Sequence, residues 1–180
     1  SVLFKNCKKV ENRDSEQKHY VRGELKNMTV ILNEGSISVQ GSLCKYFYGN
    51  NCHTLSQSNT REALNQISAD LSVDINKARV TRIDFSTNII TDYNPTIYYP
   101  YLGQLSNFRR LVNPDSIYYN QKAKRLLFYD KIKEAKSKKM DIPIEYIGKN
   151  LLRYELVLNK DVPRFLDYKV ISGKDLYSEE

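Results

Sequence analysis

Two stretches of the chain carry an arginine and a carboxylate two residues apart, Arg82-Ile83-Asp84 and Arg153-Tyr154-Glu155. In extended backbone alternate side chains project to the same side, so each arginine shares a face with its carboxylate. A carboxylate turned toward a core is costly unless a cation accompanies it. Carboxylates from two neighbouring strands can hold one divalent ion, and oxygen ligands suit Mg2+ or Mn2+. The same residues serve equally as two strand-borne salt bridges that need no metal.

Fourteen tyrosines are mostly packing or stacking residues, so residue type alone singles out none of them. Tyr118 and Tyr119 stand out by position, just ahead of a basic turn and the Arg125–Lys131 stretch. A tyrosine that attacks a phosphodiester needs cations nearby, to bind the phosphate and to lower a phenol pKa of about 10. It also needs a cation to absorb charge on the non-bridging oxygens. Tyr129-Asp130-Lys131 is a candidate phosphate clamp, although such a triplet at a strand end is as often structural.

Other chemistries find little support. There is no glycine-rich phosphate loop, no G-x-S-x-G and no H-E-x-x-H. The two histidines, His19 and His53, are too far apart in sequence to form a ligand pair. Cys7, Cys44 and Cys52 contain no C-x-x-C and read as free thiols of a reducing cytosol. No apolar run is long enough for a membrane span, and the start, at Ser1, has no signal-peptide pattern. The net charge of +7 favours a polyanionic partner. Residues 121–140 alone carry +6, which a solvated lysine-rich helix face would also explain. Basic residues interleaved with aromatics also suit a passive single-strand binder.

The elements that must position these residues follow from periodicity. One domain over 1–180 is expected, with 1–18 a loop or frayed lead-in. Residues 20–32 and 37–48 have strand character, with Asn33-Glu34-Gly35-Ser36 as the turn between them. Asn59 with Glu62 resembles a helix cap, and Ala63, Leu64, Ile67 and Leu71 recur at helical spacing. Residues 80–90 read as a strand with Arg82, Asp84 and Ser86 on one face, and a short helix is expected over 97–105. Residues 117–120 and 125–129 read as strands joined by a basic turn. A lysine-rich helix over 131–139 follows, then a turn opening at Pro143. A strand over 151–158 and a terminal helix over 174–179 complete the chain. The fold class is α+β, with a largely antiparallel central sheet and helices packed on it.

Four blocks of the sequence resemble the phage and plasmid replication proteins of the gene II/X type, the filamentous-phage replication initiators. They are Gly41-Ser42-Leu43-Cys44-Lys45-Tyr46-Phe47 with Gly49-Asn50-Asn51, then residues 77–85 around Arg82-Ile83-Asp84. Residues 126–134 around Tyr129-Asp130-Lys131 and residues 150–156 around Arg153-Tyr154-Glu155 are the third and fourth. The blocks come in the family's order and extend over most of residues 36–158. A looser similarity runs to the trans-acting Rep class of rolling-circle plasmid initiators, and implies a fold like the Rep nicking domain.

The resemblance implies a site-specific enzyme that nicks and rejoins one DNA strand at an origin. A tyrosine becomes joined to the 5′ phosphate and a 3′ hydroxyl is freed. It implies Mg2+ or Mn2+ held by carboxylates, in place of the histidine pair of other rolling-circle initiators. Carried over, Asp84 and Glu155 are the metal ligands, with Glu134 or Glu145 completing the shell. Tyr118 is the nucleophile, with Tyr119 the alternative, because Asn120 stands where the plasmid class has glycine. Arg82, Lys122, Lys124, Arg125, Lys131 and Arg153 are the expected phosphate contacts. The expected partners are single-stranded or supercoiled origin DNA, host helicase and host polymerase, in the bacterial cytoplasm, with a homodimer as a candidate assembly. The other function class left open is a non-catalytic origin-binding module, such as a truncated product that represses replication.

Overall fold

The computed structural model describes residues 2–15 and 18–178. The fold is α+β, and its strands form two antiparallel sheets. Contacts gather into two compact units rather than around one centre.

The first unit comprises residues 1–51, 55–78 and 172–180. Its strands, β1 (Lys8–Ser15), β2 (Lys18–Leu25), β3 (Met28–Asn33) and β4 (Ser36–Gln40), form a meander in chain order. The segment 1–18, expected as a lead-in, contributes both β1 and the Leu3–Phe4 turn, which is buried in this unit's core. Its residues Ser1, Glu16 and Gln17 lie outside the described residues. The strand-like run 20–32 is two strands, because Lys26 adopts a left-handed φ of 52° and turns the chain. The expected turn at Asn33–Ser36 is present, with Gly35 at φ 75°.

The run 37–48 changes from strand to helix in its middle. Ser42 Oγ accepts from the Lys45 N–H at 3.3 Å and starts helix α1 (Leu43–Tyr48), and Gly49, at φ 78°, ends it. Gly41 cannot be larger, since a Cβ there would strike Met28 and the Asn27 carbonyl. Helix α2 (Gln57–Leu71) begins a turn earlier than Asn59, capped by Ser56 Oγ accepting from the Asn59 N–H at 3.2 Å. Its predicted stripe of Ala63, Leu64, Ile67 and Leu71 is buried, and Ala63, Ile67 and Leu71 pack with Leu25, Met28 and Val30 of the sheet. The terminal helix expected over 174–179 is one 3-10 turn, Lys174–Leu176; Glu179 lies outside the described residues.

The second unit comprises residues 52–54 and 79–171. Its strands are β5 (Ile83–Thr91), β6 (Arg109–Asn113), β7 (Ser116–Asn120), β8 (Lys124–Asp130) and β9 (Asn150–Leu158), in the order β5-β9-β8-β7-β6. The last strand in the chain therefore inserts between β5 and β8. Strand β6 has no counterpart among the sequence expectations. It is an edge strand, mostly exposed, without the apolar alternation that burial would impose. The helix expected over 97–105 is a 3-10 segment, Pro95–Tyr101, broken by Pro100. Helix α3 (Lys131–Ser137) follows β8 directly, and a four-residue helix α4 (Val162–Phe165) follows β9. One face of the sheet buries Ile117, Tyr119 and Leu152 together with Tyr99 of the 3-10 segment. The other face, the polar face, gathers most of the residues singled out from the sequence, set around the buried Leu127, Leu151 and Val157.

Candidate active-site face

Antiparallel register sets side chains opposite one another in rows across a sheet. The central row of the polar face runs Ser86, Glu155, Leu127, Tyr118. The row on one side runs Asp84, Val157, Arg125, Asn120; the row on the other runs Asn88, Arg153, Tyr129, Ser116. Asp84 and Glu155 are thus diagonal neighbours on adjacent strands, with backbones roughly 7–8 Å apart. Tyr118 shares Glu155's row two strands away, roughly 10 Å along the sheet. The alternation that puts Tyr118 on this face puts Tyr119 on the other. There Tyr119 is buried, and its hydroxyl lies at 2.8 and 2.6 Å from the carbonyls of Leu102 and Gly103.

Arg153 is the hub of the face. It is 6% exposed, a placement tolerable only because its guanidinium is matched by acceptors. Nε donates to Glu155 Oε1 at 2.7 Å, Nη1 to Asn88 Oδ1 at 3.1 Å and Nη2 to Ser86 Oγ at 2.7 Å. Glu155 Oε1 also accepts from the Tyr129 hydroxyl at 2.9 Å. Burial, and then the Glu155 charge, push the Tyr129 phenol far above its ordinary value, so it remains a neutral donor. Arg82 grips Asp84 through two parallel bonds of 2.9 and 2.8 Å at a more exposed position. Arg125 stands 5.9 Å from the Tyr118 ring centroid. Its Nε is buried without a hydrogen-bond partner.

A second polar cluster lies where β8 runs into α3. Asp130, the N-cap, accepts from the Lys133 N–H at 2.9 Å. Lys131 is completely buried and pairs with Glu134 Oε2 at 2.5 Å, while Lys138 holds Glu134 Oε1 at 2.5 Å. Burial pushes the Lys131 ammonium down against the opposing pull of Glu134. Glu134 is held below its ordinary range, its two lysines outweighing its own burial. The Cys52 carbonyl accepts from Asn88 Nδ2 at 2.7 Å, and burial raises the Cys52 thiol. His53 Nδ1 lies 3.5 Å from Glu145 Oε1.

The expected site residues are therefore only partly assembled. Asp84, Glu155, Tyr118, Arg82, Arg125 and Arg153 belong to one face or its border. Glu134 is engaged by two lysines, and Glu145 by His53. Lys131 and Arg153 are buried ion-pair partners rather than surface cations. Lys124 points to the opposite face, 5.5 and 5.1 Å from the Phe108 and Phe165 ring centroids. Lys122 is exposed in the β7–β8 turn. Ser86, Asn88 and Cys52 are parts of the arrangement that sequence reasoning did not assign. The even-numbered polar run Asp84, Ser86, Asn88 signalled the first two; nothing local signalled Cys52.

Among the described residues no group of three or more His, Cys, Asp or Glu side chains is disposed to hold a metal ion. The two-carboxylate pair Asp84 and Glu155 nevertheless suits Mg2+ or Mn2+ in donor type, since such ions take one or two carboxylates and fill their shell from substrate phosphate and water. Among those residues no helix is long and apolar enough to cross a membrane.

The family model described as the N-terminal part of the replication-associated protein of phage gene II matches residues 7–174. No curated protein and no solved structure matches the chain. The matched region takes in both sheets and every strand of the polar face, so this chain belongs to the family of the gene II replication-associated phage proteins, and its role is that of a replication initiator.

Proposed function

We propose that the chain starts rolling-circle replication by nicking and rejoining one strand of origin DNA, with Tyr118 as nucleophile. The observation that carries this reading is that Asp84, Glu155 and Tyr118 share one sheet face in adjacent rows, whereas Tyr119 is a core residue on the other. In the nicking step the Tyr118 oxygen attacks phosphorus and loses its proton, and the P–O3′ bond breaks. The departing oxygen gains a proton as a free 3′ hydroxyl, and the 5′ phosphate stays on tyrosine. One phosphodiester replaces another, so attack by a 3′ hydroxyl reverses the step and rejoins the strand.

Asp84 and Glu155 would hold Mg2+ or Mn2+, which when bound neutralises charge on the phosphate oxygens. Arg125 contributes fixed positive charge beside Tyr118, and Arg82 and Lys122 are the accessible phosphate contacts. Arg153 and Tyr129 hold Glu155 in place, and so act as positioning residues. A host helicase and polymerase would then extend the freed 3′ end in the bacterial cytoplasm.

The test is incubation with single-stranded or supercoiled origin DNA and Mn2+, followed by denaturing electrophoresis. Wild type and Tyr119→Phe are expected to form a covalent DNA adduct, and Tyr118→Phe is expected to form none. An adduct that survives Tyr118→Phe would rule out this nucleophile. Absence of an adduct from wild type, with DNA still bound, would instead favour a non-catalytic origin-binding protein.

A further inference from the structure

Outside the polar face, segments 79–81 and 161–169 of the second unit wall a cleft of about 480 Å³. The Val80 N–H donates to the Ile171 carbonyl at 2.8 Å and ties the approach to β5 to the chain leaving α4. Asp161 and Asp167 take left-handed φ values of 53° and 61°, bending the chain around α4 into the cleft wall. Three cations line this cleft: Arg79, Arg164 and Lys169. None of them has an ion-pair partner among the described residues, although Asp161 and Asp167 line the same cleft. Tyr168, 39% exposed, adds an aromatic ring.

The cleft's place along the chain gives this charge a use. Thr81 precedes Arg82 directly, and Asp161 lies just past Leu158, where β9 ends. Both strands that carry the paired carboxylates therefore run to this cleft, from the end of the sheet nearest Asp84. Cations not tied up in ion pairs, beside an aromatic ring, form the combination that tracks a single nucleic-acid strand, cations on the backbone and ring on a base. A volume of several hundred Å³ is that of a small-ligand site and accommodates a nucleotide. A duplex hides its base faces, so the ring has a function only toward an unpaired strand.

We propose that this cleft is a second DNA subsite, which binds a phosphodiester and an adjoining base of the single strand flanking the nick. Arg79, Arg164 and Lys169 contact the backbone and Tyr168 stacks on the base. The proposal rests on the nicking reading for its substrate and not for its test.

Binding of the full chain to a fluorescently labelled single-stranded oligonucleotide, without divalent metal, is followed by anisotropy over a salt titration. Replacing Arg79, Arg164 and Lys169 by Gln together should flatten the slope of log K against log salt by about 2, since each lost contact is worth about 0.7 for a single strand. Tyr168→Leu should keep the slope and weaken binding by about 5-fold or more, but leave binding to the matching duplex unchanged. Asp167→Asn, which tolerates the same left-handed backbone, should tighten binding. A triple variant that melts like wild type and keeps the wild-type slope overturns the proposal. Should the triple variant not fold, Arg79→Gln and Lys169→Gln singly carry the test, each lowering the slope by about 0.7. Adduct formation on the same proteins separates the two readings. A wild-type adduct with an unchanged triple-variant slope sinks the cleft alone. A flattened slope without any wild-type adduct keeps the cleft and sinks the nicking.

Discussion

A fully buried ammonium is stable only beside a counterion, and Lys131 meets its counterion one helical turn away in Glu134. Lys138 adds a second cation on the other carboxylate oxygen. Because Glu134 titrates below its ordinary value near 4.5, the folded state binds fewer protons there than the unfolded chain. Its contribution is complete above that ordinary value and is lost as pH falls through the folded one. Glu134→Gln should therefore lower the melting temperature near neutral pH, by stranding the Lys131 charge, and should shrink the further drop between about pH 5 and pH 3. Melting curves across that range measure both effects. A variant with the wild-type acid slope would show that the lysines do not hold Glu134 as described. Arg153 obeys the same rule with a different solution, its charge matched by Glu155 and its remaining donors by Ser86 and Asn88.

At the scale of elements, strand ends and helix ends on this chain are fixed by local devices. Strand β8 stops where Asp130 turns from sheet residue to helix cap. Its carboxylate accepts from the Lys133 N–H, and Asn94 Nδ2 approaches it at 3.5 Å. Asp130→Ala removes the cap and is expected to cost about 1–2 kcal/mol in urea denaturation, whereas Asp130→Asn retains most of the cap. If the two variants were equally unstable, the charge rather than the cap would be what matters. Some of these devices are readable locally and others are not. Gly41-Ser42 and Gly49, within the first block of the resemblance, are a close-packing position and the two caps of α1. They serve scaffolding, not chemistry. The same segment reads as strand because Tyr46, Phe47 and Tyr48 have strand propensity, and the caps on either side outweigh it.

At the scale of the whole molecule, the chain leaves its first unit at residue 79 for the body of the second and rejoins the first at residue 172. The return is anchored by the Tyr177 hydroxyl donating to Asn76 Oδ1 at 3.0 Å and by Arg61 lying 5.1 Å from its ring centroid. Tyr177→Ala should cost roughly 1–3 kcal/mol and speed amide exchange in α2 while strands β5 to β9 keep their protection. Equal loss of protection in both sheets would show that the Tyr177 anchor does not act on the first unit alone. The sequence by itself determined the residue pairs and the family. Two-residue alternation is a local property, so Arg82 with Asp84, and Arg153 with Glu155, had to share faces in any extended backbone. It also ensured that Tyr118 and Tyr119 face opposite ways. Which of them faces the carboxylates was decided only by the insertion of β9 between β5 and β8 and by the register of β7. Register depends on contacts far apart in the chain, and a slip of one residue would exchange the two faces. The burial of Lys131 and the basic cleft beside β9 were likewise decided by tertiary structure, because charge counts do not say which cations fold inward.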